Sequence, residues 1–346
     1  MEVVSTTTAR ATRPANIHAA GWRRQAKRPL ALALRTEGAS LLSEIDDYEK
    51  PLRPLRVPEH VDRYQAIDNF IEQFRKFTDI FSDPASWRTK GHLIVVTGDS
   101  GYGKTSLRQR CAFWMLSEYT HTHCEIVVVD LSDEYWKADT IDARLLRTRD
   151  WILADMAGRL DQKDIERIAN IKDMMDSYRA LGLALRTRGA AAGTPKPIVL
   201  VVLLPGYPQP EELTRYYGLT REGMVFIAEI FEKGAIESIT EKIETRHEMF
   251  RRDSIAAHVL QLGVLKPGDD ELLAMCLQSD LQNCPRLTNS QVAAYLNRLI
   301  KGRKIGMAQL MKLLTGALQY AITEQANEVT LDHIARYYEN AFYRPA

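Results

Sequence analysis

Cysteine is scarce in this 346-residue sequence, and net charge and long apolar runs are nearly absent. The four cysteines form no C-x-x-C pair and have no histidine at zinc-ligand spacing, which argues against a zinc site or a disulfide-stapled fold. A formal net charge of +1 does not indicate binding to nucleic acid or to an acidic membrane through overall charge. No apolar run approaches the roughly 18 residues of a membrane span, and no signal-type segment follows the first arginines. We therefore expect a cytoplasmic protein without membrane contact.

The composition that remains is typical of a globular protein. Hydrophobic residues make up 45% and charged residues 26% of the sequence, and its length suits roughly two domains. Residues 1–36 are rich in Thr, Ala and Arg and almost free of acids, whereas residues 44–49 are acidic. This composition predicts a flexible basic N-terminal arm over residues 1–50. The arm either touches nucleic acid or a partner, or is a solvated tail.

Strand-like and helix-like segments alternate after this arm. Three prolines at 51, 54 and 58 predict an extended connector, and helical spacing of apolar residues follows over 60–81. Apolar runs predict strands, and the segments between them predict helices at 104–118, 140–160, 163–185 and 237–252. The predicted strands are 92–97, 125–130, 198–204, 224–231 and 256–265. Strands separated by helices favour a parallel sheet covered on both faces. After Pro267 the pattern is wholly helical.

A phosphate-binding loop lies between the first strand and the next helix. The segment 98–105 fits G-x-x-x-x-G-K-[ST] at every position, and strand and helix flank it as this motif requires. Its glycines let backbone N–H groups point inward, and the helix N-terminus favours an anion. Lys104 is predicted to reach the outer phosphates and Thr105 to bind Mg²⁺. The predicted nucleotide-binding residues are Gly98, Asp99, Ser100, Gly101, Tyr102, Gly103, Lys104, Thr105 and Ser106.

With this loop, the chain resembles the AAA+ and STAND branch of P-loop ATPases over roughly residues 55–345. The loop is the specific part of the resemblance, and the remainder is a shared order of elements. The resemblance implies an α/β fold: a three-layer αβα core with a parallel sheet over residues 51–266, then a helical lid domain over 267–346. It implies ATP and Mg²⁺ as ligands. It also implies a homo-oligomer joined through the nucleotide interface, with a protein partner whose identity is open.

Hydrolysis in this family needs an acid at the tip of a strand beside the phosphate loop. By order, the strand at 198–204 is expected to carry it, but that strand ends in Leu203, Leu204 and Pro205. A second candidate is the strand ending at Asp130, with Glu134 shortly after it. Asp130 is thus predicted to touch Mg²⁺, and Asp130 or Glu134 the attacking water. The alternative is a strand-end acid that caps the turn beginning at Ser132.

The resemblance also implies positions for arginines and a polar sensor. Arg251 and Arg252 precede the last strand, where the family places an arginine that acts on a neighbour's nucleotide; the alternative is a solvated helix end. Arg303, with Lys304 beside it, precedes a lid helix and is a candidate for the lid arginine. Glu229 is the only polar residue in the strand that should carry the sensor; the alternative is an exposed charge at the strand end.

The adenine site of such proteins lies between the connector and the lid, where Val57, His60, Arg63 and Tyr64 stand in the sequence. None of the four stands out, and ordinary helix packing is the favoured alternative.

Two functions remain open from the sequence. The first is an ATPase that drives assembly or remodelling, of which a nucleic-acid motor or loader is a variant. The second is a nucleotide-gated switch or scaffold that hydrolyses ATP slowly or not at all, which the missing acid at Leu204 favours. A small-molecule or nucleoside kinase is a third class, and the long helical tail argues against it.

Overall fold

A computed structural model describes most of the chain from Ile45 onward. The described residues are 45–65, 67–83, 89–118, 124–134, 139–187, 196–206, 209–230, 241, 255–281, 284–287, 290–302 and 305–342. The predicted N-terminal arm lies outside the described residues except for its last positions.

Within the described residues, five strands form one parallel sheet. They are β1 (Gly91–Thr97), β2 (Glu125–Asp130), β3 (Ile198–Leu203), β4 (Met224–Ile230) and β5 (Ile255–Gln261). Their spatial order is β2-β3-β4-β1-β5, and every neighbouring pair is parallel. β1 therefore lies between β4 and β5, and its carboxyl end leads into the phosphate loop.

Helices cover both faces of the sheet and form the C-terminal part of the chain. Before β5 they are α1 (Asp68–Ile80), α2 (Lys104–Glu118), α3 (Ile141–Asp155), α4 (Gln162–Asn170), α5 (Met174–Thr187) and α6 (Pro210–Leu219). After β5 they are α7 (Asp269–Asp280), α8 (Ser290–Gly302), α9 (Met307–Thr323) and α10 (Leu331–Phe342). A short 3-10 helix, Pro58–Arg63, precedes α1.

Strand β1 shows why two helical layers are needed. All seven of its residues are buried, because successive side chains point to opposite faces of the sheet and both faces are covered. Leu93 and Val95 pack in the cluster that contains residues of α3, α5 and α6. Ile94 and Val96 pack in the other cluster, with residues of α1, α2 and the C-terminal helices. The predicted α/β class, a parallel sheet between helical layers followed by helices, is confirmed.

Three helical segments differ from the prediction. The predicted helix over 60–81 is interrupted, because Tyr64 has extended backbone and ends the 3-10 helix before α1 begins. The predicted helix over 163–185 is two helices, since Ile171 is extended and Asp173 accepts a hydrogen bond from the Asp176 amide to start α5. Helix α6 was not predicted. The predicted helix over 237–252 lies almost wholly outside the described residues.

The predicted domain boundaries at residues 50 and 266 remain predictions. The last strand ends at Gln261 and α7 begins at Asp269, so the change from strands to helices falls near the second boundary. None of the helices in the described part of the chain is long and apolar enough to cross a membrane.

Candidate functional site

The phosphate loop has the backbone that its glycines predict. Gly98, Gly101 and Gly103 have φ values of 145°, 81° and 90°, a region that residues with a Cβ rarely adopt. A Cβ on Gly98 would lie 2.8 Å from the Leu262 carbonyl oxygen. Glycine is therefore required at these positions both by conformation and, at Gly98, by the close approach of the chain after β5.

Lys104 begins α2 and folds back over the loop. Its Nζ donates to the carbonyl oxygens of Gly98 at 2.7 Å and Asp99 at 2.8 Å. Burial lowers the pKa of this ammonium, while the negative charges of Glu229 and Asp99 act in the opposite direction. A cation thus lies among backbone groups of the loop, where phosphate oxygens would give it stronger acceptors.

Thr105 is joined to an acid on the strand next to β1. Its hydroxyl donates to Glu229 Oε2 at 2.9 Å. Glu229 lies near the carboxyl end of β4, level with Val96 on β1, and its side chain lines the cavity beside the loop. The strand beside the phosphate-loop strand is therefore β4, which carries an acid, and β3 is one strand further away.

Arg108 lies one turn along α2 from Lys104 and is fully buried. Its Nε lies 3.4 Å from Glu229 Oε2, and one terminal nitrogen donates to the Leu204 carbonyl oxygen at 2.9 Å. The guanidinium thus spans the ends of β3 and β4. Burial lowers the pKa of Arg108, and the nearby Glu229 and Asp130 charges oppose that shift.

Ser106 connects the start of α2 with the connector. Its hydroxyl accepts from the Leu52 amide at 3.0 Å, and its carbonyl accepts from the Tyr64 hydroxyl at 2.8 Å. Arg110, also on α2, lies 4.7 Å from the Tyr64 ring centroid and 4.2 Å from that of Phe74. The connector is therefore fixed directly against the helix that follows the phosphate loop.

A cavity of about 300 Å³ opens beside the loop. Its walls come from three parts of the chain: the connector with the start of α1, the phosphate loop with Glu229, and helices α7 and α9. Side chains with apolar surface from the connector and the C-terminal helices include Tyr48, Leu52, Ile67, Phe70, Leu273, Leu277 and Met311. An apolar cavity next to an anion-binding loop suits a ligand with a flat base at one end and phosphates at the other.

The four residues in the expected adenine region have different surroundings in the structure. Arg63 and Tyr64 line the cavity, and the Arg63 guanidinium lies 3.7 Å from the Tyr48 ring centroid. His60 is buried instead, and its Nδ1 accepts from the Arg53 amide at 2.9 Å. Val57 is not among the residues that line the cavity.

Asp130 has partners other than Thr105. Its Oδ1 accepts from the Ser132 amide at 3.0 Å, as the alternative interpretation of this acid expected. Its Oδ2 accepts from Gln109 at 3.0 Å and from Arg56 at 3.3 Å. Burial alone would raise the pKa of Asp130, but the hydrogen bonds from Ser132 and Gln109 together with the charge of Arg56 lower it. These contacts hold a turn and the connector, and none joins Asp130 to Thr105.

The remaining predicted residues have no described contact with the phosphate loop. Glu134 donates through its amide to the Leu131 carbonyl in the turn after β2. Arg251, Arg252 and Arg303 lie outside the described residues.

The donor set at Thr105 and Glu229 fits Mg²⁺. A hydroxyl and a carboxylate are hard oxygen donors, and Mg²⁺ usually combines one or two carboxylates with substrate phosphates and water. No group of three or more His, Cys, Asp or Glu side chains in the described chain could hold a metal ion by itself. A metal at this place would therefore depend on the oxygens of a bound phosphate.

The sequence indicated the loop but not the pairing of Thr105 with Glu229. The loop is a continuous motif, whereas this pairing joins residues 124 positions apart. The sequence pattern indicates Glu229 only as a sensor and assigns no role to Arg108. The pairing follows from the sheet order, which places the fourth strand beside the first and is visible only in the folded chain.

No family model matches the sequence, and no curated protein matches it. Solved structures that it resembles include the Aeropyrum pernix ORC2 protein in ADPNP–ADP complexes, at 15% identity and a TM-score of 0.49, covering 78% of this chain and 67% of that one. Drosophila ORC bound to DNA has 12% identity and a TM-score of 0.48, and the match covers 91% of this chain and 69% of that one. The Aeropyrum pernix ORC1 protein in complex with DNA has 12% identity and a TM-score of 0.47, and the match covers 78% of this chain and 64% of that one. The chain thus spans about two thirds of the length of these proteins.

The fold assignment rests on this chain's own features. A parallel sheet of order β2-β3-β4-β1-β5 carries the phosphate loop at the end of a central strand, and helices follow the last strand. These features agree with the predicted α/β fold, a three-layer αβα core that carries a phosphate-binding loop and is followed by helices.

Proposed function

We propose that the protein binds ATP with Mg²⁺ and couples this binding to oligomer assembly or to the remodelling of a partner. The observation that carries the proposal is the position of the cavity. The phosphate loop forms one wall and the C-terminal helices α7 and α9 form another. A nucleotide that fills the cavity would therefore contact both parts and favour the arrangement in which both contacts are made.

The tip of the loop already contacts α9. The Ala308 amide donates to the Gly101 carbonyl at 2.9 Å. A Cβ on Gly306 would lie 2.6 Å from the Tyr102 ring. Because the packing is this close, a change in the loop on phosphate binding would be transmitted to the start of α9.

Lys104 and the loop amides would hold the phosphates, and Thr105 with Glu229 would face the metal. When bound, Mg²⁺ supplies positive charge that neutralises phosphate oxygens. The apolar side chains of the connector, α7 and α9 would enclose the base. Arg251 or Arg252 acting across a subunit interface, and Arg303 acting from the lid, remain parts of the proposal, as does contact of the basic arm with nucleic acid.

A second candidate is a nucleotide-gated switch or scaffold that turns ATP over slowly or not at all. One observation favours it: β3 ends at Leu203 without an acid, and the Arg108 guanidinium donates to the next carbonyl, that of Leu204. Thus the charged group at the end of β3 is the guanidinium of Arg108, whereas a hydrolysing member of the family would have there an acid that polarises water. A switch needs only that the two states of the protein bind ATP differently.

The test compares ATP binding, assembly and phosphate release in three proteins. These are the wild type, Lys104→Ala and Lys163→Ala, the last removing an exposed lysine at the start of α4. Loss of a charged hydrogen bond to phosphate, roughly 1.5–3 kcal/mol, should weaken ATP binding about 10- to 100-fold in Lys104→Ala only. Calorimetry would measure affinity, and sedimentation velocity with and without ATP would measure assembly.

Each outcome decides between the candidates. Equal ATP affinity in the wild type and Lys104→Ala, or no binding by either, would refute nucleotide binding at this loop. If ATP binds but does not change the sedimentation of the protein, alone or with a partner, the proposed coupling of ATP binding to assembly would be refuted. Phosphate release above the Lys104→Ala baseline favours the ATPase, and release equal to that baseline favours the switch.

A further inference from the structure

The end of β4 carries an acid at the point where the end of β3 carries none. Glu229 is level with Val96, two residues before Gly98, because β4 pairs directly with β1. β3 pairs with β4 and not with β1. Of the strand-end acids Asp130 and Glu229, only Glu229 contacts the phosphate loop in the described chain.

The hydrogen bond between Thr105 and Glu229 orients the hydroxyl. Because the hydroxyl hydrogen points at the carboxylate, the oxygen lone pairs are directed elsewhere and can face a cation. Glu229 is 6% exposed, and its side chain lines the cavity. Its carboxylate can therefore ligate Mg²⁺ directly or accept hydrogen bonds from the waters that Mg²⁺ retains.

Arg108 gives this buried carboxylate a partner. A buried charge without a partner is strongly unfavourable, and the Arg108 guanidinium lies 3.4 Å from the same oxygen, Oε2, that accepts from Thr105. The second anchor of Arg108, the Leu204 carbonyl, fixes the guanidinium against β3. Thr105 and Arg108 thus both contact the same oxygen of the Glu229 carboxylate and fix its position.

We infer that Glu229 on β4 replaces the acid that β3 lacks, and that Thr105 and Glu229 together hold the Mg²⁺ of bound ATP, with Arg108 as a positioning residue. This inference rests on the proposed function, since the metal would enter with the nucleotide. It assigns to Glu229 the metal contact that the sequence predicted for Asp130.

The experiment separates metal binding from nucleotide binding. The affinity of full-length protein for ATP is measured by displacement of a fluorescent ATP analogue, once with saturating Mg²⁺ and once in EDTA. The ratio of the two affinities is the Mg²⁺ increment. Glu229→Gln keeps the side-chain volume and an oxygen that can accept from Thr105. Asp130→Asn is the matched control.

We expect Glu229→Gln to reduce the Mg²⁺ increment about 10-fold or more, the size usual for loss of a group that supports a metal site. Its affinity in EDTA should stay within about two-fold of the wild type, because the phosphate contacts are intact. Asp130→Asn should keep the full Mg²⁺ increment. With Mn²⁺ in place of Mg²⁺, the electron paramagnetic resonance spectrum of the bound ion should change in Glu229→Gln and not in Asp130→Asn.

Folding is checked by thermal unfolding without nucleotide. If Glu229→Gln does not fold, Thr105→Val and Thr105→Ser replace it: the valine variant should lose the Mg²⁺ increment and the serine variant should keep it. An unchanged Mg²⁺ increment in folded Glu229→Gln, or its loss in Asp130→Asn alone, would overturn the assignment while ATP binding stands. Failure of the wild type to bind ATP in either buffer would overturn the proposed function and this inference with it.

Discussion

At the scale of single residues, His92 is a buried group whose pKa is shifted by folding. It lies on β1 with 3% of its surface exposed, and neither ring nitrogen has a hydrogen-bond partner in the described chain. The rings of Phe81 and His258 lie 4.8 Å and 5.6 Å away. Burial, with smaller effects from His258 and Lys90, lowers the pKa of His92 from 6.5 to about 4. The folded protein therefore holds this ring neutral.

The lowered pKa makes stability depend on pH below neutrality. The unfolded chain takes up a proton at His92 below about pH 6.5, whereas the folded chain does so only near pH 4. The contribution of neutral His92 to the free energy of unfolding is therefore fully present above pH 6.5 and is lost as pH falls from 6.5 towards 4. Between pH 7 and pH 5 the expected loss from this residue is about 2 kcal/mol. The free energy of unfolding by urea at both pH values measures it.

His92→Phe should flatten this dependence. The variant removes the titrating ring. Its free energy of unfolding should therefore fall less between pH 7 and pH 5 than that of the wild type, by about 2 kcal/mol. Part of the dependence should remain, because burial also lowers the pKa of His258. Equal pH dependence in the two proteins would contradict a neutral, buried His92.

The candidate site shows which residues could be predicted from the sequence. Lys104 and Thr105 belong to a motif whose members are adjacent, so local order was sufficient. The contacts of Glu229 and Arg108 depend on which strands are neighbours, a property that appears only when the sheet is assembled. Asp130 had the right local pattern, an acid at the end of an apolar strand, but β2 is the strand furthest from β1 on its side of the sheet.

At the scale of elements, apolar runs predicted all five strands, because strands buried on both faces are continuous in sequence. Helices were predicted less well. Helix α6 is only ten residues long, too short for apolar periodicity to show, although Pro210 followed by Glu211 and Glu212 is a start signal. The break before α5 was missed because apolar spacing continues across Ile171, whereas the backbone turns there and Asp173 caps the next helix.

The connector is an element whose position depends on charge. Arg53 and Arg56 both pair with Asp133, and Arg56 also reaches Asp130. The pKa of Asp133 is lowered, since its hydrogen bonds and charge interactions with these arginines outweigh partial burial. The residues just before this cluster, from Tyr48 to Leu52, line the cavity. The charge cluster therefore fixes one wall of the cavity beside the phosphate loop.

Asp133→Asn should loosen that wall without unfolding the protein. The pairs are partly exposed, so their loss should cost at most about 1 kcal/mol of stability. ATP affinity should fall about two- to five-fold, equally in Mg²⁺ and in EDTA, because the change does not touch the metal. The difference from the wild type should shrink in high salt, which screens exposed charges. A loss confined to Mg²⁺ buffer would instead place this cluster at the metal.

At the scale of the whole molecule, the contact between the phosphate loop and α9 predicts coupling between nucleotide and C-terminal helices. Gly101 accepts from the Ala308 amide, and the Tyr102 ring lies against Gly306. Leu265, after the last strand, donates to the Ile305 carbonyl at 3.2 Å. The start of α9 is therefore held between the loop and the end of the sheet, so that ATP should stabilise both regions together.

Amide hydrogen exchange measures this coupling. ATP should slow exchange in residues 98–106 and 305–311 of the wild type, and in neither segment of Lys104→Ala. Helix α3 lines no part of the cavity and should be unaffected. Gly306 has φ −89°, so alanine is acceptable to its backbone but crowds the Tyr102 ring.

Gly306→Ala therefore separates binding from coupling. ATP should still protect 98–106, because the phosphate contacts remain. Protection of 305–311 should weaken by about 5- to 150-fold, which corresponds to the roughly 1–3 kcal/mol typical of coupling between sites. Protection of 305–311 at the wild-type level would show that the Tyr102 contact does not carry the coupling. If ATP gave no protection of 305–311 in the wild type, the C-terminal helices would not be coupled to the phosphate loop. The protein would then bind ATP without any effect of binding on α9.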